Sequence, residues 1–255
     1  MAESYKLPLS TDKVLPVIDY IRAIKKPSEQ ESIRKGAVIL EKVFQWVRVA
    51  RIVGRTEQEV ALDIAKAMKR AGAEALAFPV IVASGTGSAD IHHWPTKRRI
   101  QKGEILMIDC GAVVGGHCSD CTRTFFIGNP PKVFMNRYRE VLRAQEKAIT
   151  KIKDGVKARM IDRAARNHLS CWRWGRTFRH GCGHGVGTAI HEVPNLKPNS
   201  PDILRTNMVV TVEPGIYMKD WGGIRIEDMV AVKRSGREVL TQNIGKRLID
   251  SILAV

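Results

Sequence analysis

Residues 107–125 read MIDCGAVVGGHCSDCTRTF. Two β-branched, largely apolar runs flank Val114-Gly115-Gly116, which is the pattern of a β-hairpin. The predicted strands are Ile105 to Val113 and His117 to Ile127. Each carries one aspartate, Asp109 and Asp120. Opposite residues of an antiparallel hairpin have numbers with a constant sum. Asp109 and Asp120 are centred between Val114 and Gly115, at the predicted turn, so the hairpin is expected to bring both carboxylates to one face.

A second hairpin is predicted from VVTVEPGIY (209–217) and GGIRIEDMVAV (222–232), with strands Met208 to Ile216 and Ile224 to Val232. Glu213 and Glu227 are centred on Asp220, inside the turn-like Lys219-Asp220-Trp221-Gly222-Gly223. Both glutamates fall within strongly apolar strands, where an unpaired carboxylate is costly. Between the hairpins lies HGCGHGVG (180–187), with His184 flanked by glycines. Four carboxylates and one imidazole are donors that Mn, Fe, Co or Zn accept, and two close ions can share bridging carboxylates. So many buried acids cannot stay ionised together without cations. The pattern points to a pair of divalent metals and a hydrolase that attacks with metal-bound hydroxide.

Ser28 and Glu31 form a capping box, predicting a helix to about Val53, with Ile33, Ala37, Leu40, Phe44 and Val47 on its buried face. Thr56 and Glu59 form another, and Val60, Ile64, Ala67 and Met68 stripe the helix that follows. Phe78 to Ala83 reads as a strand and Ser84 to Ser88 as a glycine-rich turn without the lysine of a phosphate loop. Helices are expected at about Met135 to Ile152 and Met160 to Leu169. The order helices, hairpin, helices, hairpin predicts an α+β fold with an internal duplication. Residues 1–27 read as a leader or linker, and 28–255 as the catalytic domain.

Lys and Arg number 42 against 26 Asp and Glu, a formal net charge of +16. That charge favours acidic partners through long-range attraction. It is spread along the chain with no recognised nucleic-acid module, so a nucleic-acid partner stays open but is not favoured. No run of about 18 apolar residues is present, so no membrane helix is expected. The polar start lacks a signal core. Five cysteines, three of them (Cys110, Cys118, Cys121) near the aspartates, argue for reduced thiols and a cytoplasmic location. Cys118 and Cys121 point to opposite faces of a strand, which argues against a zinc clip. The stretch CWRWGRTFRHG (171–181) mixes aromatics with arginines; its aromatics are expected to pack beside the site, with an anionic-partner patch as the alternative.

The DCG…SDCTRTF, HGCGHGVG…HEVP, VEPGIY and GGIRIED blocks, in this order, resemble the pita-bread metallopeptidases. Within them they are most similar to the Xaa-Pro dipeptidase (prolidase) and Xaa-Pro aminopeptidase branch. The likeness runs from about Lys25 to the C-terminus. It implies two pseudo-symmetric halves of antiparallel sheet covered by helices, and two divalent ions (Mn, Co, Zn or Fe, with Mn favoured). Asp109, Asp120 and Glu227 would hold one ion. Asp120, His184, Glu213 and Glu227 would surround the other, with Asp120 and Glu227 bridging. Glu213 would also act as base and proton shuttle. The SADIHHWPTKR segment (88–98) carries the family's histidine on His92, with Ile91 where proline is usual. His191, in AIHEVP, would contact substrate and tetrahedral intermediate, and His180 matches a histidine credited with proton transfer.

On a strand Arg225 faces the same side as Glu227, where it can fix a peptide carboxylate or pair with a ligand acid. Thr122 can hydrogen-bond a ligand carboxylate. The branch usually carries an N-terminal domain before the catalytic one, and this chain is expected to have only a short leader, which leaves the assembly state open, a homodimer included. The expected substrates are short proline-containing peptides. Rivals are a methionine aminopeptidase-like enzyme, a relative acting on a non-peptide C–N bond, and a non-catalytic pita-bread module that binds RNA or ribosomes.

Overall fold

The computed structural model describes residues 11–254, and of residues 11–16 the backbone alone. The first ten residues of the expected leader lie outside the described residues. The chain runs through α1 (Thr11–Ala23), α2 (Pro27–Val49) and α3 (Glu57–Arg70) into β1 (Ala75–Leu76), β2 (Ile81–Ser84), β3 (Ile105–Cys110), β4 (Ala112–Val114), β5 (His117–Cys118) and β6 (Cys121–Ile127). Then come α4 (Lys132–Thr150) and α5 (Ala158–Ser170), followed by β7 (Gly183–Gly185), β8 (Glu192–Leu196), β9 (Val209–Val212), β10 (Gly215–Met218), β11 (Gly222–Arg225), β12 (Asp228–Val232), β13 (Arg237–Val239) and β14 (Ile252–Leu253).

Two sheets dominate. One has the order β14-β6-β3-β2 and the other β13-β12-β9-β7-β8. All their pairings are antiparallel except β14 with β6. Each sheet has its own helix pair. Leu40, Phe44, Val60, Ile64 and Met68 of α2 and α3 pack on Val82, Leu106, Ile108 and Phe125. Phe134, Val141, Ala144, Ile161, Ala165 and Leu169 of α4 and α5 pack with Val210, Val212, Val230 and Val232. Strand alternation sorts the side chains: Leu106, Ile108 and Cys110 face the helices, and Asp109 is turned the other way, toward the opposite half.

The predicted helices form, with shifted ends. The first starts at Pro27 rather than Ser28 and stops at Val49 rather than Val53. Proline presets the first helical φ, and the Glu29 carboxylate reaches back to the Lys26 N–H at 2.7 Å, so Ser28 and Glu31 are not its cap. The Thr56–Glu59 box forms as expected. The Ser84 to Ser88 turn is a short 3₁₀ helix, Gly85–Ala89.

The second hairpin has the expected register. Gly215 pairs with Arg225 on one side and Val212 with Asp228 on the other. Glu213 and Glu227 fall in the gap between these ladders, directly opposite each other. In the first hairpin Asp109 pairs with Thr122, not with Asp120. The cause is the turn, which is centred one residue later than expected. Gly115 and Gly116 both have positive φ (54° and 69°), as a two-residue type I′ turn requires. Asp120 stays on the Asp109 face but lies one step along the diagonal. Cys118 and Cys121 go to different cores, as their alternation requires, and all five cysteines are free.

Candidate metal centre

The five expected ligands meet between the two sheets. Asp109 is the next-to-last residue of β3, Asp120 precedes β6, His184 is the middle residue of β7, and Glu213 and Glu227 lie between the ladders of the second hairpin. One donor atom each of Asp120, His184 and Glu227 lies within 4.8 Å of the others. His184 Nε2 is 3.3 Å from Glu213 Oε1 and 3.6 Å from Asp120 Oδ2. The other ring nitrogen of His184 is 3.0 Å from the Gly185 carbonyl, so Nδ1–H donates there; Nε2 faces the acids, carrying a proton toward Glu213 when no cation is bound and free to offer its lone pair once a metal displaces that proton. The strand holding His184 has no room for larger neighbours. A Cβ on Gly183 would sit 2.1 Å from the Thr211 carbonyl oxygen, and one on Gly185 2.3 Å from that of Val193.

Three carboxylate oxygens here, Asp109 Oδ1, Asp120 Oδ1 and Glu227 Oε1, are buried with no hydrogen-bond partner among the described residues. The neighbouring Asp228 shows that the fold can satisfy a buried acid when it needs to. Its Oδ1 accepts from Arg123 (2.8 Å) and Thr241 (2.7 Å), and its Oδ2 from Gln145 (2.7 Å) and Lys246 (2.5 Å). Unsatisfied buried carboxylates cost several kcal/mol each, more than a fully buried leucine returns at about 1.5–3 kcal/mol. Without a cation, burial and then the charges of Glu227 and Asp109 push the Asp120 carboxyl well above the usual range. Burial, with Glu213 and Asp109, does the same to Glu227. For Glu213 burial acts upward, but the hydrogen bond and charge of His184 prevail and hold it at about 2. Oxygen-rich donors, one free imidazole nitrogen and three orphaned oxygens fit divalent metal.

Around the ligands lies a chain of donors. Arg225 is buried and pairs with Asp109 at 2.7 Å. Its Nε donates to Thr122 Oγ1 (3.0 Å), and Thr122 in turn donates to Glu227 Oε2 (2.6 Å). Arg225 also donates to Tyr217 Oη (3.1 Å), whose hydroxyl bonds His180 Nε2 (2.8 Å). His180 Nδ1 is 2.8 Å from the Gly181 carbonyl, which makes Nε2 the acceptor for Tyr217. Burial lowers the His180 pKa and raises that of Tyr217 to about 12, so imidazole and phenol are both neutral. His180 therefore touches the centre through Tyr217, a residue that sequence patterning did not single out.

Above the ligands is a cavity of about 310 Å³. Phe78, Pro79, Ile81, Ile91, Trp94 and Ile190 give it apolar walls, and His92 and His191 stand at its lip. His191 packs edge-on against His184, with ring centroids 4.3 Å apart. Of the two adjacent histidines, His93 is tied by Nε2 to the buried Glu57 carboxylate (2.9 Å), while no hydrogen bond reaches the His92 ring among the described residues. His92 is thus the one free to meet a ligand. Of the aromatics in 171–181, Phe178 reaches the site, edge-on to His180, whereas Trp172 and Trp174 stack on each other, with Trp172 exposed.

Comparison with known proteins agrees with this architecture. The profile of metallopeptidase family M24 matches residues 30–234. The Xaa-Pro dipeptidase of Pyrococcus horikoshii is 39% identical over 230 residues, 90% of this chain and 66% of that protein. The X-Pro aminopeptidase from Thermotoga maritima superposes with a TM-score of 0.87 at 36% identity, over 94% of this chain and 67% of that one. A prolidase from Pyrococcus furiosus gives a TM-score of 0.87 at 36% identity, over 93% of this chain and 74% of that one. The chain spans about two thirds of the length of the curated relatives it matches most strongly. With the fold, the ligand set and these similarities in agreement, the chain belongs to metallopeptidase family M24, with the pita-bread α+β architecture and a cluster suited to divalent metal.

Proposed function

We propose that this protein hydrolyses Xaa-Pro bonds of short peptides at a dinuclear metal centre. The observation that carries this is the convergence of Asp109, Asp120, His184, Glu213 and Glu227, with three orphaned carboxylate oxygens, on the floor of an apolar cavity. Asp109, Asp120 and Glu227 would hold one ion, and Asp120, His184, Glu213 and Glu227 the other, with manganese the favoured metal. Bound divalent ions lower the pKa of a water molecule and polarise a carbonyl. Glu213, 3.3 Å from His184 and also bonded by Thr211 (3.1 Å), would be the carboxylate that receives and passes the proton. His191 and His92, which line the cavity, would donate to the substrate carbonyl as charge develops on its oxygen.

A bond to proline is a tertiary amide with no N–H, so it must be recognised by shape. Apolar walls suit that task, and the Xaa-Pro relatives support it. Among the described residues no helix is long and apolar enough to cross a membrane, and five free thiols suit a reducing compartment such as the cytoplasm. The test is turnover by the manganese-reconstituted protein of Xaa-Pro dipeptides, longer Xaa-Pro peptides and Met-peptides. Cleavage of the Xaa-Pro set is expected. Preference for Met-peptides would replace this assignment with a methionine aminopeptidase, and absence of both metal uptake and hydrolysis would favour a binding module.

A further inference from the structure

We propose that Arg22 and Lys25 are positioning residues for His191, acting through Glu192. The proposal rests on the Xaa-Pro hydrolase assignment for the role of His191. The loop from Gly187 to Glu192 is what holds His191 at the cavity lip, since no hydrogen bond reaches the His191 ring among the described residues. Glu192 closes this loop. Its Oε1 accepts from the Ala189 N–H (3.0 Å) and from Arg22 Nη2 (2.6 Å), and its Oε2 accepts from Lys25 Nζ (3.0 Å). Arg22 also donates to Thr188 Oγ1 (2.5 Å), so one guanidinium spans both ends of the loop. The near end is pinned to the first hairpin, where the Cys118 N–H donates to the Gly187 carbonyl at 2.8 Å.

Lys25 is itself fixed. Its side chain is 2% exposed, its N–H donates to the Asn207 carbonyl (3.0 Å), and its carbonyl accepts from Gln30 Nε2 (3.4 Å). The Glu192 side chain is 6% exposed. Removing one partner of such a buried pair strands the other charge, so the loop must rearrange to regain water or another partner. His191 is the residue next to Glu192 and moves with it. Helix α1 and Lys25 precede the stretch that the family profile matches, 30–234. Orientation of a substrate-facing imidazole thus depends on a segment outside the matched catalytic region.

The experiment is a double-mutant cycle in the full chain with manganese. Lys25→Met and Glu192→Gln are each expected to lower kcat tenfold or more with metal content unchanged. On a His191→Ala background the same changes are expected to cost less than threefold, because the group they position is already gone. Lys25→Arg is expected to restore part of the rate. Equal losses on both backgrounds would assign Lys25 a purely structural role and overturn the proposal. A readout independent of turnover separates this from the assignment of function: in protein loaded with diamagnetic zinc instead of manganese, the His191 ring proton resonance, identified by its loss in His191→Ala, is expected to shift in Lys25→Met. An unmoved resonance overturns the clamp even in a protein that cleaves Xaa-Pro bonds. Wild-type protein inert toward every Xaa-Pro peptide sinks the hydrolase assignment, while a shifted resonance would still uphold the clamp.

Discussion

The two carboxylate-bearing hairpins reach one point by different registers. Glu213 and Glu227 stand directly opposite in a ladder that keeps its register on both sides. Asp109 stands opposite Thr122, with Asp120 one diagonal step away. Their surroundings differ too. Asp109 has Arg225 at 2.7 Å and Glu213 has His184 at 3.3 Å, whereas Asp120 has His184 only at 3.6 Å and Glu227 has no ion pair among the described residues. Each hairpin therefore supplies one acid with a close cationic partner already in place and one without. In the proposed dinuclear centre the remaining pair, one from each hairpin, would be the bridging ligands. Strict symmetry of register is not needed for this, only that both acids of a hairpin share a face.

The largest expected effect tests that equivalence. Asp120→Ala and Glu227→Ala should each abolish metal loading and turnover, read by metal analysis after reconstitution and by Xaa-Pro hydrolysis. Full activity in Asp120→Ala would sink the two-metal proposal, and loss in only one variant would make the hairpins unequal. Asp109→Asn and Glu213→Gln should each retain one of two ions, since each removes a ligand from a single position. Titration to a stoichiometry near one would support this, and near zero would refute it. His191→Ala should keep both ions and lose about 10²–10³-fold in kcat, the range for removing one donor to a developing oxyanion. A change in metal content there would place His191 among the ligands.

Smaller effects probe the flanks. Thr122→Val deletes the 2.6 Å bond to Glu227 and should weaken metal affinity by about 10–100-fold, measurable by competition with a chelating dye. The smallest concerns stability in the first half. Burial acts to raise the Glu57 pKa, but hydrogen bonds from Ser84, His93 and Thr96 prevail and hold it below the usual value. A depressed folded pKa contributes stability that is full above the unfolded value of about 4.3 and is lost as pH falls through the folded value. Glu57→Gln should therefore cost about 1–3 kcal/mol at pH 7 and progressively less below about pH 4. Denaturant melts at both pH values check this, and an equal cost at both would refute it.

How much was legible beforehand follows the range of the interactions involved. The second hairpin was readable because its alternation runs unbroken to a turn centred on Asp220. The first was misplaced by one residue because two positive-φ glycines form the turn alone, without Val114. Strands β7 and β8 gave no strand signal, since GHG and EVPNL lack the usual β-branched alternation; the sheet imposes extended backbone on them. Tyr217, the Arg123–Asp228 pair and the Glu192 clamp were unreadable for another reason. Their partners lie far away in sequence, as with Arg123 and Asp228, and only the assembled halves bring them together. Ligand identity could be read from residue type and neighbouring blocks. Cavity walls could not, because isolated apolar residues such as Phe78 and Ile190 resemble any core residue until they are seen exposed to the same space.

The glycines beside His184 carry a consequence for how such a protein diversifies. Carbonyl oxygens of Thr211 and Val193 occupy the places where their side chains would begin, so no substitution there is neutral. Change in the cavity must leave this strand intact. The cavity residues Phe78, Ile91, Trp94 and Ile190 lie outside every strand and helix. A library randomised at those four positions would sample new cavity shapes above an unchanged floor of carboxylates, whereas one randomised around His184 would return mostly unfolded chains.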